Sequence, residues 1–124
     1  MGQAKTALEE LIPLVNNSRS AKELMGAFPR KIKFELDGEQ KPVYMVIAQQ
    51  QMATPESIAG EADIVATGDG TELGRVIRGE IDITHLIARG TLFVKKGKIS
   101  EMTLLNRILL SVKRHPIVEK KQDV

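Results

Sequence analysis

The sequence predicts an α+β domain, a mostly antiparallel sheet with helices gathered on one face. Three observations carry that expectation. Residues 31–37 alternate strictly, with Ile32, Phe34 and Leu36 set between Lys31, Lys33, Glu35 and Asp37; this is the period of a strand with one buried and one wet face. A turn signal, DGEQKP at 37–42, leads into VYMVIAQQ at 43–50, the return strand of a hairpin. Downstream the pattern reads strand–helix–helix–strand–helix, and helices segregated to one side of the sheet accommodate that order.

The remaining elements follow from local signals. Leu8, Leu11, Ile12 and Val15 form one helical stripe, and Pro13 within it predicts a kink or an early end. SAKE at 20–23 has the form of a capping box. It predicts a short helix that buries Leu24, Met25 and Phe28 and stops before Pro29. The run at 43–50 is apolar on both faces as far as Gln49, which places it inside the sheet. Residues 52–61, with Pro55 and Gly60, read as loop. A strand is expected at 62–67, a helix near 71–78 ending at Gly79, and a short helix near 82–88 ending at Gly90. A strand at 91–96 and a helix at 99–112 complete the set.

The totals narrow the function classes. A chain of 124 residues holds one domain, expected over 1–115, with a charged, disordered tail at 116–124. The longest clean apolar run, VYMVIA, is far short of the roughly 20 residues that span a bilayer. Cysteine is absent, which removes disulfides, thiolate nucleophiles and thiolate metal sites. The start, MGQAKTALEELIP, has two acids and does not resemble a secretory signal, so a cytoplasmic location is expected. A formal net charge of +2 and only four aromatic side chains argue against a nucleic-acid partner. Local basic bunches, such as Lys95, Lys96 and Lys98, leave room for transient contact with an anionic lipid surface.

Gly68, Gly70 and Gly74 lie where a strand meets a helix, the setting of a dinucleotide pyrophosphate. The context fails. The helix has barely two turns before Gly79, a second helix intervenes, and the next strand ends in Lys95 and Lys96 instead of a ribose-binding acid. Gly68 and Gly70 are therefore read as shaping a tight turn, and Gly74 as letting the helix lie close to the sheet. His85 and His115 share no metal-ligand spacing, and no cofactor or metal is expected. Ser100–Glu101 and Thr71–Glu72 lack an adjacent base that could activate a hydroxyl. Asp63 is read as an acid capping the amides of the preceding loop. Met25, Met45, Met52 and Met102 suit an adaptable pocket and an ordinary core equally.

Taken in order, KIKFELDG, the returning strand, EADIVAT, the helix ending at Gly79 and ARGTLFVKKG before a final helix resemble the sterol carrier protein type 2 domain over roughly residues 20 to 112. The spacing from Asp63 to Gly79, and from Gly79 to Gly90, matches that family without a gap. The resemblance implies a five-stranded sheet with an apolar tunnel between sheet and helices, and a carrier of fatty acid, fatty acyl-CoA or sterol-like lipid with no catalytic residues. By correspondence Leu73, Val76, Ile77, Leu86, Ile87, Met102, Leu105 and Leu109 would line the tunnel. On periodicity alone these residues would equally form an ordinary core. The final helix, which would close the tunnel, is expected to be the moving part. Three departures stand out: the family often carries a large aromatic at the Leu73 position and another near Ile87, the last helix here begins with Ser100 and Glu101 where small and apolar residues are usual, and the chain ends KQDV, without a peroxisomal address. The alternatives are an interaction module whose apolar surface at 43–48 binds a partner or forms a homodimer, and a nucleotide-dependent enzyme.

Overall fold

The structure, a computed structural model, describes residues 3–112. Helices α1 (Gln3–Asn16) and α2 (Arg19–Gly26) precede strands β1 (Arg30–Asp37), β2 (Val43–Ala48), β3 (Gln51–Ala53) and β4 (Ile64–Asp69). Helices α3 (Gly70–Ile77) and α4 (Ile83–Ala88), strand β5 (Leu92–Lys96) and helix α5 (Ile99–Leu110) follow. The strands form one sheet in the order β3-β2-β1-β4-β5. All neighbours are antiparallel except β1 and β4, which run parallel. The α+β expectation holds, and β2 does lie inside the sheet. The expected tail at 116–124 lies outside the described residues.

Registry explains which face is covered. Ile32 pairs with Met45 on one side and Ile64 on the other, and Phe34 with Val43 and Ala66. All six are buried, so one apolar row after another crosses the sheet on the same face. Lys33 and Glu35 point to the opposite face, where Lys95 Nζ lies 2.9 Å from Glu35 and Lys33 Nζ 3.3 Å from it. The helices bury their stripes against the apolar face: Leu8, Leu11 and Val15 from α1, Met25 from α2, and inward residues of α3, α4 and α5.

The structure corrects several local expectations. Helix α1 runs through Pro13 without ending. The proline is exposed, and burial of Leu11 and Val15 on either side of it, about 1.5–3 kcal/mol each, offsets a helix-interior proline's cost of about 3 kcal/mol. Helix α2 begins earlier than SAKE suggested, because Ser18 is the cap and its Oγ accepts from the Ala21 amide at 3.2 Å. Strand β3 falls inside what reads as loop. It returns from β2 through Gln49 and Gln50, both at positive φ (52° and 62°), the mirror-image turn that suits a hairpin's twist and that Asn-Gly usually signals. Asp63 does not cap its own loop; its Oδ2 accepts from the Lys31 amide at 2.8 Å, and its amide donates to the Lys31 carbonyl at 2.7 Å. Gly74 packs against the Gln3 carbonyl at the start of α1, not against the sheet.

Gly68 has the tightest surroundings of the glycines. A Cβ there would collide with the Thr91 carbonyl oxygen and come within 3.0 Å of Leu92 Cα, both backbone atoms of the adjoining chain. Backbone gives way less readily than a side-chain end, so Gly68→Ala should destabilise the protein by about 1–3 kcal/mol. Urea unfolding monitored by circular dichroism checks this, and an unchanged midpoint would contradict the assigned packing.

Candidate functional site

The layer between sheet and helices is built from three short helices with different anchors. Asp69 caps α3, its Oδ1 accepting from the Glu72 amide at 3.1 Å, and Gly79 at φ 82° ends it in the left-handed conformation that glycine adopts freely. That places Leu73, Val76 and Ile77 inward, with α1 packed alongside. Helix α4 contributes Leu86, buried, and Ile87, partly buried. Its first turn is held from α5, because Asn106 Oδ1 accepts from the Ile83 amide at 3.0 Å. Helix α5 directs Met102, Leu105 and Leu109 into the same cluster.

The eight residues singled out from the sequence therefore meet in one apolar layer. Seven keep 0–1% of their surface exposed, all but Ile87. A water-sized void beside them would leave exposed wall, so in this conformation the space is filled. Ile83 and Ile108 belong to the layer too and were missed. Ile108 stands three residues after Leu105, and that helical spacing was the available signal. Among the described residues no buried side chain in the structure is polar or charged.

The N-terminal turn of α5 is fastened to the sheet by a polar latch. Arg30 Nε donates to Glu101 Oε2 at 2.8 Å, and the Lys98 amide donates to Glu101 Oε1 at 2.8 Å. The Arg30 guanidinium also lies 4.7 Å from the centroid of the Phe28 ring. These donors, the Arg30 guanidinium foremost, hold the Glu101 carboxyl below its ordinary value of 4.5.

The glycine turn is closed to a phosphate. Gly68 and Gly70 are packed against backbone oxygens of neighbouring strands, and the Asp69 carboxylate already occupies the amides of the α3 N-terminus. His85 is exposed on α4, while His115 lies outside the described residues. No group of three or more His, Cys, Asp or Glu suited to a metal occurs among the described residues. No helix among them is long and apolar enough to cross a membrane. Both edges of β2 are taken, by β1 and β3, so the run 43–48 has no edge to offer another chain and only Tyr44 and Val46 face outward, half-buried.

The model of the SCP-2 sterol transfer family matches residues 8–109, which include every element from most of α1 to nearly all of α5. The chain belongs to the SCP-2 sterol transfer family. Comparison with curated proteins finds no match. Among solved structures the chain is similar to a UbiJ-SCP2 ubiquinone synthesis protein, at 20% identity and a TM-score of 0.68 over 86% of this chain and 88% of that one. It is similar also to apo sterol carrier protein 2 of Yarrowia lipolytica, at 21% identity and a TM-score of 0.62 over 86% and 89%. A third likeness is to the sec-alkylsulfatase Pisa1 from Pseudomonas sp., at 9% identity and a TM-score of 0.59. It covers 76% of this chain but 14% of that one, so there the fold is one part of a larger enzyme. These identities concern the fold.

Within the SCP-2 fold, the polar start of α5 now has a physical account. Glu101 caps the helix and binds Arg30, which ties α5 to β1 across 71 positions of sequence. Because the folded carboxyl titrates below its unfolded value, the stability it contributes is present above about pH 4.5 and is lost as pH falls through the lowered value. Glu101→Gln should cost about 1–2 kcal/mol at neutral pH. The difference from wild type should shrink as acid protonates the native carboxylate, as denaturant melts between pH 3 and pH 7 (roughly the range over which a glutamate titrates) can show.

Proposed function

We propose that this SCP-2 family member is a non-enzymatic lipid carrier, reversibly enclosing an elongated apolar ligand such as a fatty acid, fatty acyl-CoA or sterol-like lipid between sheet and helices. The observation that supports it most is the continuous apolar layer with no polar side chain buried in it among the described residues. A hydrocarbon entering there would leave no polar group unpaired, the main cost of burying anything in a protein interior. Leu73, Val76, Ile77, Leu86, Ile87, Met102, Leu105 and Leu109 are the walls in this reading. Since that space is filled by side chains, uptake requires helices to part, and α5 is the element assigned to move. Its latch to Arg30 lies at its N-terminal turn, so opening would swing from that end. Aliphatic Leu73 and Ile87, where the family often carries aromatics, favour a flexible chain over a rigid ring system as the ligand.

Delipidated protein titrated with a fluorescent long-chain fatty acid should show saturable uptake that unlabelled palmitate or palmitoyl-CoA displaces and NADPH does not. Leu105→Glu sets a carboxylate in the layer and should lower affinity by at least about a hundredfold, given a cost of several kcal/mol for burying an unpaired charge. Far-ultraviolet circular dichroism reports whether the variant keeps its secondary structure. Undiminished uptake by a folded Leu105→Glu protein removes these residues from the binding site.

A further inference from the structure

Helix α5 is unlike the other helices on its outward side. Of the large hydrophobic side chains exposed among the described residues, Ile99 (56%), Leu104 (40%) and Leu110 (49%) all belong to it, whereas the longer α1 exposes only Leu14. At 100° per residue, Ile99, Thr103, Leu104, Arg107 and Leu110 share one arc of about 140°. No acid lies on that arc, because the single acid of α5, Glu101, is turned toward Arg30. Arg107 is exposed and has no ion-pair partner among the described residues. Charge follows the same pattern over a wider stretch. From Ile83 to Val112 there are five Lys and Arg residues and one acid, in a chain whose net charge is only +2. In sequence, Lys98 opens α5 and Lys113 and Arg114 follow it.

We propose that this outward face of α5 is a docking surface for an anionic lipid bilayer, with the helix lying in the plane of the headgroups. Aliphatic side chains on one arc, cations at both ends and no acid between them are the features of a helix that settles at that depth. The charge complement selects the bilayer over an apolar protein groove, which would have to leave Arg107 unpaired. Phe93, though 63% exposed, points from the other face of the sheet and is no part of this surface. The inference deepens the carrier reading and rests on it for its purpose: the helix that parts to admit a lipid would be the one touching the source of that lipid.

The test uses the full chain with phosphatidylcholine vesicles, with and without phosphatidylglycerol, in a pelleting assay. Partition should be at least about fivefold stronger on the anionic vesicles, the effect of one basic side chain near such a surface. Leu104→Glu combined with Leu110→Glu should lower it at least about tenfold, while the melting temperature and fatty-acid uptake from vesicle-free solution stay as in wild type. Retained vesicle binding without fatty-acid uptake would uphold the surface and remove only the carrier reading. Wild-type protein that stays in the supernatant, or a double variant that pellets as wild type does, overturns the proposal. It falls equally if light scattering shows a dimer that the double variant abolishes, since the face then belongs to a second copy. Nuclear Overhauser contacts between this face and residues 113–124 in lipid-free protein would assign it to the chain's own end and overturn it as well.

Discussion

Ile32, Phe34 and Leu36 on the central strand β1 must be kept from water, and covering that face of the sheet determines where each helix goes. A slip of one residue would exchange these side chains for Lys31, Lys33 and Glu35, so the register of β1 against its two neighbours cannot drift. One neighbour, β2, arrives through a hairpin. The other, β4, runs parallel and must be delivered from the far edge of the sheet after β3. Asp63 secures that second arrival. Its paired hydrogen bonds with Lys31, at 2.8 and 2.7 Å, begin the β1–β4 ladder at the residue that sets Ile32 opposite Ile64.

With the face defined, α1 and α3 close one part of it and α2, α4 and α5 the rest. The helices are not fastened alike. Helices α3 and α4 are confined by short connections and by glycines at their C-terminal ends, so they have little freedom apart from the sheet. Helix α5 relies on apolar contacts together with side-chain anchors, Glu101 to Arg30 and Asn106 to the Ile83 amide. A hydrogen bond to an exposed or half-exposed charge is worth little more than 1–2 kcal/mol, so these anchors set the position of α5 without preventing its release. Orientation is therefore secured more firmly than attachment, which is the arrangement a reversible closure needs.

The strict alternation at 31–37 and the apolar run at 43–48 made the sheet legible, because a period of two matches the pleat of a strand and not the turn of a helix. Gly79 and Gly90 marked the ends of α3 and α4 because both adopt the positive φ that ends a helix. Strand β3 escaped notice because its turn uses Gln49 and Gln50, whose side chains carry no turn signal, and three residues are too few to show a period. Ser18 was passed over in favour of Ser20 because a serine can cap in either register, and packing of Ala21 and Met25 decides between them. The eight residues assigned to the layer were legible as apolar positions on helices. Whether the space among them is open was not legible, since it depends on volumes summed over side chains from every element. Exposure of Ile99, Leu104 and Leu110 likewise emerges only once the buried arc of α5 is known.

A filled layer and a carrier function are compatible if what leaves the interior is replaced by what enters it. Burying a chain of about 16 carbons releases on the order of 12 kcal/mol, at about 0.8 per methylene. Association costs of roughly 4–15 kcal/mol absorb most of that gain. If opening exposed Met102, Leu105 and Leu109 to water, it would cost about 5–9 kcal/mol more, at roughly 1.5–3 for each side chain. Uptake from water by a fully opened intermediate would then be slow and the complex weak. The cost disappears if the inward residues of α5 pass directly from the protein core to hydrocarbon, supplied by the incoming chain or by a bilayer beneath the helix. Helix α5 already presents Ile99, Leu104 and Leu110 outward, so rolling it at a lipid surface exchanges one apolar environment for another instead of creating a wet one. On this account the exposed aliphatics of α5 and the closed interior are two parts of one device, in which the barrier to opening is high in water and low at a membrane.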